Sequence, residues 1–120
     1  MATRSYSVLE SQEPNAILLE WTGLLQGDDG APFVIPYGAC YIWGEVWGTF
    51  GSGGTIRFEG SLNGTTWGIM VMENNSAATF TAASSVALRG TPRLIRPFVS
   101  AGTGQNLSAR VFLTGLKPPG

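Results

Sequence analysis

Leu107, Ala109, Val111 and Leu113 occupy alternate positions, with Ser108 and Arg110 between them. A period of two predicts a β-strand with one buried face. The same period flanks Asn63-Gly64. Before that pair Ile56 and Phe58 alternate with Arg57 and Glu59; after it Trp67, Ile69 and Val71 recur. Asn-Gly is a favoured central pair for a type I′ turn, because both positions need φ > 0 and neither residue strongly resists it. The stretch 55–70 is therefore expected to be a hairpin with Asn63-Gly64 at its tip.

The stretch 39–50, ACYIWGEVWGTF, has a different pattern. Cys40, Ile42, Val46 and Phe50 point one way. Tyr41, Trp43, Trp47 and Thr49 point the other, with Glu45 among them. An outer sheet normally shows one apolar and one polar face. Two apolar faces imply a central position, or cover by the N-terminal segment or another subunit.

The remaining segments are shorter. Residues 5–9 suit a short strand. Residues 16–25, AILLEWTGLL, suit a strand or a short helix, with Trp21 and Thr22 favouring the strand. Gly27, Asp28, Asp29, Gly30, Pro32 and Pro36 mark a loop or edge connection. Gly51–Gly54 and the stretch 101–104 read as turns. Residues 73–92 are rich in small polar side chains and predict one or two short edge strands, with a helix over 82–88 as the other option. Ile95 and Val99 share a face of a strand in which Pro97 requires an edge or a bulge.

About seven or eight short strands separated by Gly-rich turns predict an all-β, single-domain β-sandwich. Immunoglobulin-like and jelly-roll strand orders both remain open. Cross-sheet aromatic packing is expected from Phe50, Phe58 and Trp67. The expected organisation is an N-terminal arm or short strand over 1–15, the sandwich over 16–114 and a tail over 115–120.

Composition narrows the chemistry. Charged residues make up 12% of the 120 residues, about half the usual share, and the net charge is −1. A chain with so little charge has weak self-repulsion and a surface suited to cover by partners. There is no His, the usual acid–base residue at neutral pH, and the single Cys40 has no second cysteine to pair with. Cys40 is expected to be a buried free thiol. Asp28 and Asp29 lack the spacing of a calcium loop and read as turn formers. Gly51–Gly54 lacks the lysine of a phosphate-binding loop. No Ser sits in a nucleophile elbow. No catalytic residue, metal site or cofactor is expected. Arg89, Arg93 and Arg96 lie close in sequence, but no lysines surround them and the net charge offers phosphate no general attraction. Nucleic-acid binding is not expected. Neither a secretion signal nor an apolar run of membrane-spanning length is evident, so synthesis in a cytoplasm is the expectation and a membrane partner is not.

Three stretches, GDDGAPF (27–33), VWGTFGSGGTIRFEGSLNGTTW (46–67) and RLIRPFVSAGTGQNLSARV (93–111), together resemble small virion proteins of tailed bacteriophages. The resemblance covers about 20–113. It implies a head-decoration or cement protein that assembles as a homotrimer on the capsid surface, with the major capsid protein as partner and the host bacterial cytoplasm as the place of synthesis. Similar modules sit in tails and fibres. Leu62-Asn63-Gly64 stands where the family turn reads Asn-Asp-Gly or Asp-Gly. The resemblance carries no catalytic residue.

Three function classes follow. The first is a structural virion protein, with Tyr41, Trp43, Trp47, Arg89, Arg93 and Arg96 as candidate subunit or shell contacts. The second is a tail- or fibre-associated carbohydrate-binding or adhesion module, because exposed Trp and Tyr rings stack on sugars. The third, an enzyme, needs a carboxylate pair such as Glu45 and Glu59 to converge. These residues are expected instead at an interface or in solvent, with Glu59 neutralised by Arg57.

Overall fold

In the computed structural model, residues 2–12, 16–36 and 41–115 are described, with side chains from 16 onward and over 2–9. Among the described residues, thirteen strands build two sheets. One sheet contains β1 (Thr3–Arg4), β4 (Asp29–Gly30), β5 (Phe33–Val34), β7 (Ser52–Ser61), β8 (Gly68–Ile69), β10 (Thr79–Phe80) and β12 (Leu94–Thr103). The other contains β2 (Tyr6–Gln12), β3 (Ala16–Leu24), β6 (Tyr41–Thr49), β9 (Val71–Met72), β11 (Ser84–Arg89) and β13 (Asn106–Thr114). Among the described residues there is no helix, so the choice left open over 16–25 and 82–88 resolves as strand, at Ala16–Leu24 and Ser84–Arg89.

The strand order settles the topology. The six-stranded sheet runs β2-β3-β13-β6-β11-β9, and the main path of the seven-stranded sheet runs β1-β4-β12-β7-β10. The chain leaves through β3, β4 and β5, β6 and β7. It returns through β8 and β10, β11, β12 and β13. Each outgoing strand pairs antiparallel with its returning counterpart: β3 with β13, β5 with β12, β6 with β11, and β7 with β8 and β10. A long antiparallel ribbon folded over itself in this way is a jelly roll. Of the two orders that the pattern left open, this is the one adopted.

The period-two readings hold. Leu107, Ala109, Val111 and Leu113 are fully buried, as are Ile95 and Val99. They pack between the sheets with Leu19, Trp21, Ile56 and Phe58. Removing each large apolar side chain from water contributes about 1.5–3 kcal/mol. Strand β6 is central, with β13 on one side and β11 on the other, and its Ile42 and Val46 face the core. Phe50 is partly buried against the same core, and Phe58 meets Phe80 edge-on. Cys40 and the residues after 115 lie outside the described residues.

Pro97 is fully buried in the middle of a sheet rather than at its edge. Its missing N–H faces a gap in the ladder. On that side of β12, Ile95 pairs with Phe33 and Phe98 with Asp29, and the Val99 N–H donates to the Asp28 carbonyl. Proline thus sits where one short strand has stopped and the next has begun, so no donor is missed. Gly30 makes this possible. A Cβ there would lie 2.5 Å from Pro97 Cδ and 2.6 Å from the Trp21 ring.

The N-terminal stretch is stitched into both sheets. β1 pairs parallel with β4, while β2 pairs with β3. The Asp28 carboxylate accepts from the Ala2 N–H, the Leu25 N–H and Arg4 Nε at 2.8–2.9 Å. Asp29 accepts from Thr3 Oγ1 at 2.7 Å. The Asp-Asp pair therefore clamps the first strand.

The tip of the ribbon corrects one expectation. The ladder between β7 and β8 ends at Gly60↔Gly68, so 61–67 is a wide loop rather than a two-residue turn. Gly64 has φ +78°, but Asn63 is not in the positive-φ region. Asn63 instead uses its side chain. Oδ1 accepts from the N–H groups of Thr65 and Thr66, each at 2.8 Å. The Ser61 hydroxyl accepts from the Gly64 N–H at 2.9 Å and donates to the Thr66 carbonyl at 2.7 Å. Asn competes for backbone donors as readily as it tolerates positive φ, and here the first tendency wins.

Candidate interaction surface

Side chains that point away from the core on β3, β13, β6 and β11 form ladders across the six-stranded sheet. In one, Leu18 stands opposite Phe112, Phe112 opposite Trp43, and Trp43 opposite Ala87. In the next, Glu20 faces Arg110, Arg110 faces Glu45, and Glu45 faces Ser85. The first is an apolar belt four strands wide. The second is a polar and charged belt beside it.

The two belts are joined. Trp43 Nε1–H donates to Ser85 Oγ at 2.6 Å, fixing the indole while leaving the residue 48% exposed. Arg110 Nε meets Glu20 at 2.7 Å, and its second nitrogen lies 3.9 Å from Glu45. The same guanidinium is 4.7 Å from the Trp47 ring centroid. Tyr41 continues the aromatic line on β6 and is 71% exposed. Beside Trp43 is a depression of about 430 Å³, walled by Tyr41, Phe112 and Thr114 with Glu73 at its side. Another of about 460 Å³ lies against Trp47 and Glu45.

Of the residues singled out from the sequence, Tyr41, Trp43 and Trp47 share this face. Of the three arginines, Arg89 follows Ser85 and Ala87 at period two on β11 and points to the same side, where β11 meets β9; Arg93 and Arg96 do not join them. Arg96 lies on the outer face of the other sheet. It bonds Glu59 at 2.9 Å and Asp29 at 2.8 Å, and Arg57 takes the other Glu59 oxygen. Trp67 lies there too, its ring centroid 4.1 Å from the Arg96 guanidinium, so it does not enter the cross-sheet core as expected. The core tryptophan is Trp21, whose Nε1–H donates to the Ala31 carbonyl at 3.0 Å. Arg89, at the end of β11, bonds the Asn75 side chain. Arg93 is exposed just before β12.

Glu45 and Glu59 lie on outward faces of opposite sheets and do not converge on a shared site. Glu59 is neutralised by Arg57, as its neighbouring position suggested, and by Arg96. Burial raises the Asp28 carboxyl, but the Leu25 N–H, Arg4 and the Ala2 N–H together outweigh it and hold the group below its ordinary value. Its oxygens are spent on protein donors. Among the described residues there is no group of three or more metal-ligating side chains.

The sequence reading missed Leu18, Phe112, Arg110 and Ser85. One signal was present. Phe112 interrupts the polar side of β13 just as Trp43 interrupts that of β6, and register places the two opposite each other.

No protein-family model and no curated protein matches the chain. Solved structures resemble it. The SPBc2 prophage-derived protein YomS superposes with a TM-score of 0.61 at 10% identity, over 88% of this chain and 100% of YomS. The PBSX exported protein XepA gives a TM-score of 0.63 at 17% identity, over 88% of this chain and 39% of XepA. An RmlC-like cupin from Desulfovibrio desulfuricans gives 0.47 at 8% identity, over 92% of this chain and 80% of the cupin. At these identities the likeness to the two prophage proteins is one of fold.

Proposed function

We propose that this chain is a structural protein of a tailed-bacteriophage particle that acts by docking rather than by chemistry. In the finer reading it is a capsid decoration protein, assembling as a homotrimer against the major capsid protein. The observation that carries the proposal is the outward apolar belt Leu18–Phe112–Trp43 across three neighbouring strands, half-buried at Leu18 and Phe112 and exposed at Trp43 and at Tyr41 beside it. Large aromatic rings held in place yet left in water lose little entropy on binding and gain much from desolvation. Contiguous apolar surface of this kind marks an interaction site. The charged groups around it are largely paired within the chain, so they offer a polar rim rather than a reactive centre. The virion assignment draws support from the resemblance of 27–33, 46–67 and 93–111 to phage virion proteins. The fold shared with the two prophage proteins agrees with it.

The depression beside Tyr41, Trp43 and Phe112, with Glu73 and Thr114 at its side, favours one second reading: a carbohydrate-binding module of a tail or fibre. Electron cryomicroscopy of intact particles carrying a tagged copy tests the proposal. Density on the head supports decoration. Density on tail or fibre favours the second reading. Recovery of the protein from the medium, and none from particles, overturns both.

A further inference from the structure

A second surface lies at the tip of the ribbon and borders the depression beside Trp43 at Gly90, which lines both. An open groove of about 680 Å³ runs between the 61–67 loop and the connection from β11 to β12. Its floor is rigid. A Cβ on Gly60 would lie 2.7 Å from Pro92 Cγ, so the two walls are already in contact there. The loop wall is rigid as well, because Ser61 and Asn63 hold it by side-chain hydrogen bonds. Those bonds occupy the Ser61 hydroxyl and the Asn63 carbonyl oxygen.

The groove's large apolar side chains are exposed, and they stand beside positive charge. Leu62, Ile69 and Val71 are 77%, 45% and 38% exposed around the groove. Arg89 lines it, oriented by its bond to Asn75. Arg93 follows Pro92, another lining residue. Among the described residues, Arg4, Arg57, Arg96 and Arg110 all reach carboxylates, while Arg89 and Arg93 form no such pair.

We infer that this groove docks an extended segment of a partner protein, in which an aliphatic or aromatic anchor residue is flanked by Asp or Glu. The anchor fills the space between Leu62, Ile69 and Val71, and the carboxylate pairs with Arg89. Gly68 and Gly90 on the walls let the incoming backbone approach closely. The groove is formed before the partner arrives, so binding costs mainly the ordering of the segment. Neither Tyr41 nor Trp43 lines this groove, and the inference rests on no location on a capsid.

The test uses a random-heptapeptide display library selected on the immobilised full chain, followed by titration of a synthetic lead peptide. Enriched peptides are expected to combine an acidic residue with Leu, Ile, Phe or Trp, and their binding is expected to weaken with salt. Ile69→Asp and Leu62→Asp should each weaken the lead by about tenfold or more, the loss typical of an anchor contact. Arg89→Glu with Arg93→Glu should turn the selected sequences from acidic to basic. Tyr41→Ala with Trp43→Ala should leave the lead's affinity unchanged. These positions are exposed, and a retained melting temperature confirms that each variant folds. No enrichment, enriched peptides without the acidic–apolar pairing, or a lead insensitive to the groove variants overturns the inference.

Discussion

The Arg96 guanidinium lies 4.1 Å from the Trp67 ring centroid while bonding Glu59 and Asp29. One side chain thereby covers an indole and compensates a carboxylate that is only 3% exposed. Arg96→Met keeps much of the stem but strips Glu59 of one partner. Leaving a buried charge under-compensated costs about 3 kcal/mol. The variant should show a clear loss in urea midpoint, and Arg96→Lys should recover only part of it, because an ammonium cannot present the planar fork that meets two carboxylates. A midpoint equal to wild type would mean that solvent, not Arg96, stabilises Glu59.

The ribbon tip gives a sharper test of turn chemistry. In a type I′ turn Asn63→Gly would be tolerated, since Gly adopts φ > 0 freely. In the observed loop the same change removes an acceptor shared by two backbone donors, and about 1 kcal/mol should be lost. Gly64→Ala should cost about 1 kcal/mol, because its φ of +78° penalises a Cβ that would also meet Leu94 Cδ1 at 3.3 Å. Thermal melts of both variants decide between the two loop forms: a stable Asn63→Gly variant would restore the tight turn.

These two sites show how far the sequence was legible. Alternation identified the inward residues of β13 and β12 because period two is local and burial enforces it. It also marked the unusual second face of β6. Strand order was not legible, since it depends on pairs such as Glu20 with Arg110 that only the folded ribbon brings together. Trp67 was misassigned for the same reason. Its aromatic character suggested the core, but the cross-strand arginine that covers it is set by register. Pro97 read as the sign of an edge or a bulge because a break in the neighbouring strand, which serves it equally well, leaves no local trace.

Acid should loosen the N-terminal clamp. The Asp28 carboxyl is held below its ordinary value of 3.8 by donors that outweigh its burial. A depressed carboxyl stabilises the fold above the unfolded-state value and loses that contribution as pH falls through the folded one. The clamp is therefore fully effective at neutral pH and weakens progressively below about 3.9. Asp28→Asn should lower stability at pH 7 by about 2 kcal/mol, the scale of hydrogen bonds to a charged acceptor. The gap to wild type should narrow in acid. Urea titrations from pH 7 downward check this. A gap that stays constant at all pH values would show that the carboxylate's charge plays no part.

The aromatic face separates stability from docking. Tyr41 and Trp43 are 71% and 48% exposed, so Tyr41→Ala with Trp43→Ala should change the melting temperature of the isolated protein little. If the belt is a shell contact, the same pair should abolish incorporation into particles, since truncating buried aromatic anchors at an interface commonly costs 2 kcal/mol or more (about thirtyfold) each. Particles made without the protein should then lose heat resistance, and purified wild-type chain, but not the double variant, should restore it. Salt should weaken this contact only moderately, because few of its groups carry unpaired charge. A carbohydrate site in the Trp43 depression predicts otherwise: particle heat resistance would not depend on the chain, while glycan binding by the isolated protein would vanish in the double variant. Retention of both incorporation and glycan binding by the variant would remove the function from this face altogether.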